Sequence, residues 1–78
     1  MNRDWAGAHY STIFIEDNND GYAGLELYCT RQVEKHRVAR IIFWDACGQF
    51  VLETFGSEIP LNIVEEFIAE TKTKIKTG

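Results

Sequence analysis

Among 78 residues there are only two cysteines, one proline and one methionine. Cys29 and Cys47 form no CxxC pair and are too few for a disulfide framework. Together with His9 and His36 they make a set of zinc-compatible types, but the short paired spacings of a structural zinc site are missing. No stretch approaches the roughly 20 apolar residues of a membrane span, and MNRDWAGAHY holds no apolar run of signal-sequence length. A soluble, cytoplasmic protein is expected. Basic residues are outnumbered: 8 Lys and Arg against 12 Asp and Glu give a net charge of −4, which disfavours tight nonspecific binding to nucleic acid.

What is present is apolar and aromatic side chain, at 45% and 13% of the residues, enough for one compact core and no second domain. Chains of this size gain stability from disulfides, metals or self-association, and self-association is the expectation here. Residues 1–8 read as a loosely ordered N-terminal arm that can dock through Trp5, and residues 9–78 as a single α+β domain.

The run HYSTIFIE, from His9 to Glu16, is rich in β-branched and aromatic residues and predicts a strand. EDNNDG follows. Its alternating acids before a glycine resemble the start of a calcium loop, but Leu27 stands where such a loop needs its closing glutamate, and the flanks read as strands. It is read as a hairpin turn, with Asp20-Gly21 supplying the positive φ.

YAGLELYCT, from Tyr22 to Thr30, alternates with Leu25, Leu27 and Cys29 on one side and Tyr22, Glu26, Tyr28 and Thr30 on the other. In RVARIIFW, Ala39, Ile41 and Phe43 oppose Val38, Arg40, Ile42 and Trp44. DACG is the next turn, and QFVLETF the fourth strand. A three-residue loop would set Asp45 against Gln49; a four-residue loop would set Trp44 against Gln49 and Arg40 against Glu53, and the second register is favoured on charge.

After Gly56, Pro60 marks the start of an amphipathic helix running to about Ile75. Its apolar stripe is Leu61, Val64, Ile68 and Ile75, widened by Ile63 and Phe67, with Glu70 one turn before Lys74. Glu58, Glu65 and Glu66 early and Lys72, Lys74 and Lys76 late complement the helix dipole. The predicted fold is therefore a four-stranded antiparallel meander with one C-terminal helix packed on one face.

No side chains combine into a nucleophile with a positioned base, and no glycine-rich phosphate loop is present, so no catalytic, metal or cofactor residue is assigned. Instead, the single helix leaves a sheet face uncovered. That face is expected to carry Tyr22, Tyr28, Ile42 and Trp44, together with Tyr10 and Phe14, interrupted by Glu26 and Arg40. Large rings with an arginine are residue types enriched in binding hot spots. Tyr10, Phe14, Tyr22, Tyr28, Arg40, Ile42 and Trp44 are accordingly the candidate interface of a noncatalytic module that forms a homodimer or binds another protein.

The alternative is a single-stranded nucleic-acid binder. RQVEKHRVAR concentrates Arg31, Lys35, Arg37 and Arg40 beside sheet aromatics on which bases could stack. Four strands followed by one helix is also, in element order, similar to the Whirly and Pur-repeat families, which bind single strands on their sheets and dimerise through helices.

Overall fold

The computed structural model describes residues 1–75; Lys76 lies outside them. Five strands form one antiparallel sheet in chain order: β1 (Asn2–Trp5), β2 (Ala8–Asp17), β3 (Tyr22–Arg31), β4 (Glu34–Trp44) and β5 (Gln49–Thr54). Helix α1 (Leu61–Lys74) packs on one face.

The fifth strand corrects the expected arm. Residues 2–5 turn back at Ala6-Gly7 and pair with β2, Trp5 opposite Ala8 and Arg3 opposite Tyr10. Both turn residues have positive φ, 50° and 80°, the backbone that matches the twist of a two-residue hairpin. The element order is thus five strands and a helix, one strand more than the expected four.

The EDNNDG segment is a turn with its own hydrogen bonds. The Asp17 carboxylate accepts from the Asn19 and Asp20 amides at 2.9 and 3.1 Å, and Gly21, at φ 73°, donates to the Asp17 carbonyl. Asp17 therefore pairs with Tyr22 across four loop residues. The β4–β5 hairpin likewise has a four-residue loop, with Trp44 opposite Gln49 and Arg40 opposite Glu53.

Between helix and sheet lies the core: Tyr10, Leu25, Leu27, Cys29, Ala39 and Ile41 from the strands meet Ile63, Phe67 and Ile75. Ile63, Phe67 and Ile75 of the expected stripe are buried, and the stripe departs from expectation at two positions. Leu61 is 77% exposed, whereas Thr71 is fully buried. Ile63, Phe67, Thr71 and Ile75 follow one another at intervals of four residues, so they share a face. Thr71 tolerates that position because its Oγ1 donates to the Phe67 carbonyl at 2.8 Å. No acidic residue falls in the first turn, so the expected early complement to the dipole is absent, while Lys72 and Lys74 do occupy the last turn.

The helix is tied to β1 and β2 by Glu70, which accepts from Thr12 at 2.9 Å, Lys74 at 2.8 Å and the Met1 amino group at 2.8 Å. An Arg3–Glu66 pair lies alongside. No described helix is long and apolar enough to cross a membrane.

Candidate interaction surface

On the face away from the helix, register places the side chains in rows across the sheet. The first row is Asp17, Tyr22, Trp44 and Gln49, and the second Ile15, Gly24, Ile42 and Val51. The third is Ile13, Glu26, Arg40 and Glu53; the fourth includes Ser11, Tyr28 and Arg37. The apolar side chains concentrate in the first two rows, with Asp17 and Gln49 at the ends of the first, and the charged ones in the third and fourth, beside Ile13.

The apolar half is preorganised. Tyr22 and Trp44 meet edge to face with centroids 5.1 Å apart, a favoured aromatic geometry. Ile42 is only 5% exposed although no helix covers it, because it lies over Gly24, where an added Cβ would overlap the Ile41 carbonyl oxygen. Trp44 and Val51 beside it, and Ile13 in the next row, remain exposed.

The charged half depends on an irregularity. Leu27 faces Ala39 and Tyr28 faces Arg37, so Val38 is an extra residue in β4. Val38 and Ala39 are both buried in the core, and the parity of the residues before them is reversed. Without this bulge Arg37 and Lys35 would point to the helix side. With it they join Arg40 on the open face, and Val38, expected there, leaves it.

Glu26 is the centre of this half. It accepts from the Tyr28 hydroxyl at 3.0 Å and from Arg37 at 2.6 Å. The bond to Glu26, then burial, raises the Tyr28 hydroxyl above its ordinary pKa, and the same carboxylate raises Arg37. Arg40 Nε donates to Glu53 at 3.0 Å. The Lys35 ammonium lies 4.9 Å from the centre of the Tyr28 ring, and the Arg37 guanidinium 4.4 Å from that of Phe55.

Of the seven expected interface residues, Tyr22, Tyr28, Arg40, Ile42 and Trp44 share this face. Tyr10 and Phe14 do not. They pair with Cys29 and Leu25 and therefore point to the helix side, where Tyr10 is 1% exposed and Phe14 sits at an uncovered edge. Burial, with the Cys29 thiol beside it, raises the Tyr10 hydroxyl, partly offset by Arg31. Arg31 shares the Cys29 side of β3, so the four cations considered for nucleic acid divide between two faces. Ile13, Ile15 and Val51 belong to the face but were not among the expected residues; their signal was the alternation in IFIE and FVLE, readable only once the loop lengths are known.

Away from this surface, an open cleft of about 430 Å³ lies between the two turns at the other end of the sheet, lined by Asp4, Trp5, His9, Thr30 and Gln32 among others. His9 contacts Asp4 at 2.7 Å and Asn2 at 3.3 Å. Among the described residues, no three His, Cys, Asp or Glu side chains converge as metal ligands. Comparisons with protein-family models, curated proteins and solved structures found no match.

Proposed function

We propose that the chain is a noncatalytic protein-interaction module of the cytoplasm that forms a homodimer by packing its open sheet face against a second copy. The observation that carries this reading is the pair of apolar rows around Tyr22, Ile42, Trp44 and Val51. The helix occupies the opposite face, and β1 widens the sheet without covering these rows.

Exposed apolar surface of this kind is stabilised by removal from water, and two sheets can pack face to face about 10 Å apart. The Tyr22–Trp44 contact reduces the ordering that association requires. Alternating Glu26, Arg40 and Glu53 offers a partner face both signs of charge. Cys29 and Cys47 are free thiols, which suits a reducing compartment.

Two cations on aromatic rings give the nucleic-acid alternative a foothold at Lys35–Tyr28 and Arg37–Phe55. Self-association is preferred because Arg37 and Arg40 are already engaged by Glu26 and Glu53. Sedimentation of the wild type and Trp44→Ala, alongside an oligonucleotide titration at two salt concentrations, separates the readings. Self-association predicts a mass that falls in the variant. Oligonucleotide binding that weakens steeply with salt, by a wild-type monomer, would replace it.

A further inference from the structure

The sheet has a second unpartnered feature, and it is an edge rather than a face. Strand β5 ends the sheet. The Gly48 amide donates to the Trp44 carbonyl, and the Asp45 amide to the Gly21 carbonyl on the other side of β4. Backbone direction alternates along an antiparallel ladder, so Trp44, Ile42 and Arg40 bond to their partners Gln49, Val51 and Glu53. The amides and carbonyls of Phe50, Leu52 and Thr54 consequently point away from the sheet.

Natural edges are protected by proline, lysine, bulges or extreme shortness. β5 has none of these protections: its six residues, QFVLET, include no proline or lysine, its register with β4 is unbroken, and its one charge, Glu53, is paired with Arg40. The other edge differs. β1 covers only the first half of β2, and the uncovered half ends in Glu16 and Asp17.

A cavity adjoins the β5 edge on the helix side. It has a volume of about 160 Å³ and is lined chiefly by Ile41, Phe50, Leu52 and Ile68, with Thr71 and Lys72 at the helix. Leu52 is 48% exposed there because α1 does not extend over β5. The edge thus offers a row of backbone partners and, beside it, apolar space.

We infer that β5 is a second self-association site, at which two copies pair β5 with β5 antiparallel across a two-fold axis to make one continuous ten-stranded sheet. A second copy fits because the strand is self-complementary. Hydrogen bonding between outward-pointing residues requires a two-fold centred on a residue, and the two centres that engage most of the strand are Val51 and Leu52. Centring on Val51 sets Phe50 against Leu52 and Glu53 against Gln49; centring on Leu52 sets Phe50 against Thr54 and Glu53 against Val51. Neither register opposes like charges. In both, apolar side chains of the two copies meet beside the cavity; the isologous pairing by itself closes at two copies, and combined with the open-face contact it joins pairs into a larger assembly.

This contact uses the outward backbone of Phe50, Leu52 and Thr54 rather than the side chains of the open face, and does not rest on that face being covered. Amide hydrogen exchange by NMR, on the wild type and on Trp44→Ala, tests it directly. In both proteins the Phe50, Leu52 and Thr54 amides are expected to be protected to the level of Val51 and Glu53, which bond within the chain. Leu52→Lys, a change at an exposed position, should release those three amides to near free-peptide rates while the Val51 and Glu53 amides stay protected. Rapid exchange of the three amides in the wild type at millimolar concentration, protection surviving Leu52→Lys, or protection lost in Trp44→Ala would each overturn the inference. The Trp44→Ala mass reads the open face separately.

Discussion

Arg37 reaches Glu26 at 2.6 Å on the open face because Val38 is an extra residue in β4 that turns Arg37 away from the helix side. One inserted position thereby assembles a charged half-face from residues that simple alternation would separate. Glu26→Gln should lower the pH at which Tyr28 titrates, since its bond to Glu26 is the leading cause of its raised pKa. Alkaline titration followed by tyrosine absorbance checks this. An unchanged Tyr28 midpoint would mean that the hydroxyl does not bond to Glu26 in solution.

Gly24 and Ile42 make a second dependency. A methyl group at position 24 would overlap the Ile41 carbonyl oxygen and press on Ile42, and backbone cannot retreat as a flexible side chain can. Gly24→Ala should destabilise by about 1–3 kcal/mol, the usual range for overpacking. Urea denaturation measures it, with a loss near zero counting against the close approach.

On the helix side, Phe67 is completely buried between α1 and the sheet. Phe67→Ala should cost about 3–5 kcal/mol, a large fraction of the stability of so small a domain. Leu61→Ala, at an exposed position, should change the denaturation midpoint little. Reversed sensitivities would put Leu61 rather than Phe67 in the buried stripe.

Glu70 links stability to pH. Burial pushes its carboxyl upward, but the hydrogen bonds from Lys74, the Met1 amino group and Thr12 outweigh that and hold it below the ordinary value of 4.5. The folded state therefore favours the ionised form. Its contribution is present above pH 4.5 and is lost as pH falls through the lower folded value. Melting temperatures of wild type and Glu70→Gln should differ at neutral pH and converge in acid; a constant difference would remove Glu70 from the acid limb.

Alternation in YAGLELYCT and the four-residue span of DACG were sufficient to place Tyr22, Tyr28, Ile42 and Trp44 together. Three features were not legible. Ala6 is no usual turn residue, so only its φ of 50° reveals the hairpin that makes β1. Reading Asp20-Gly21 as the turn left the length of the β2–β3 loop open, and one residue of loop decides parity, which placed Tyr10 and Phe14 on the wrong side. The bulge was hidden because Val38 and Ala39 are both apolar: either can be buried, and no glycine marks the extra residue. In the helix the apolar spacing marks Ile63, Phe67 and Ile75 correctly and fails only where Leu61 is apolar yet exposed and Thr71 polar yet internally bonded.

If a second copy covers the rows around Tyr22, Ile42, Trp44 and Val51, the mass in solution depends on Trp44. Multi-angle light scattering of the wild type and Trp44→Ala at matched concentrations addresses it most directly. The wild-type mass should exceed the 9.0 kDa of one chain and fall in the variant while its helix and sheet signals are retained. A wild type that stays at one chain mass at every concentration, or an assembly whose mass Trp44→Ala leaves unchanged, would contradict it.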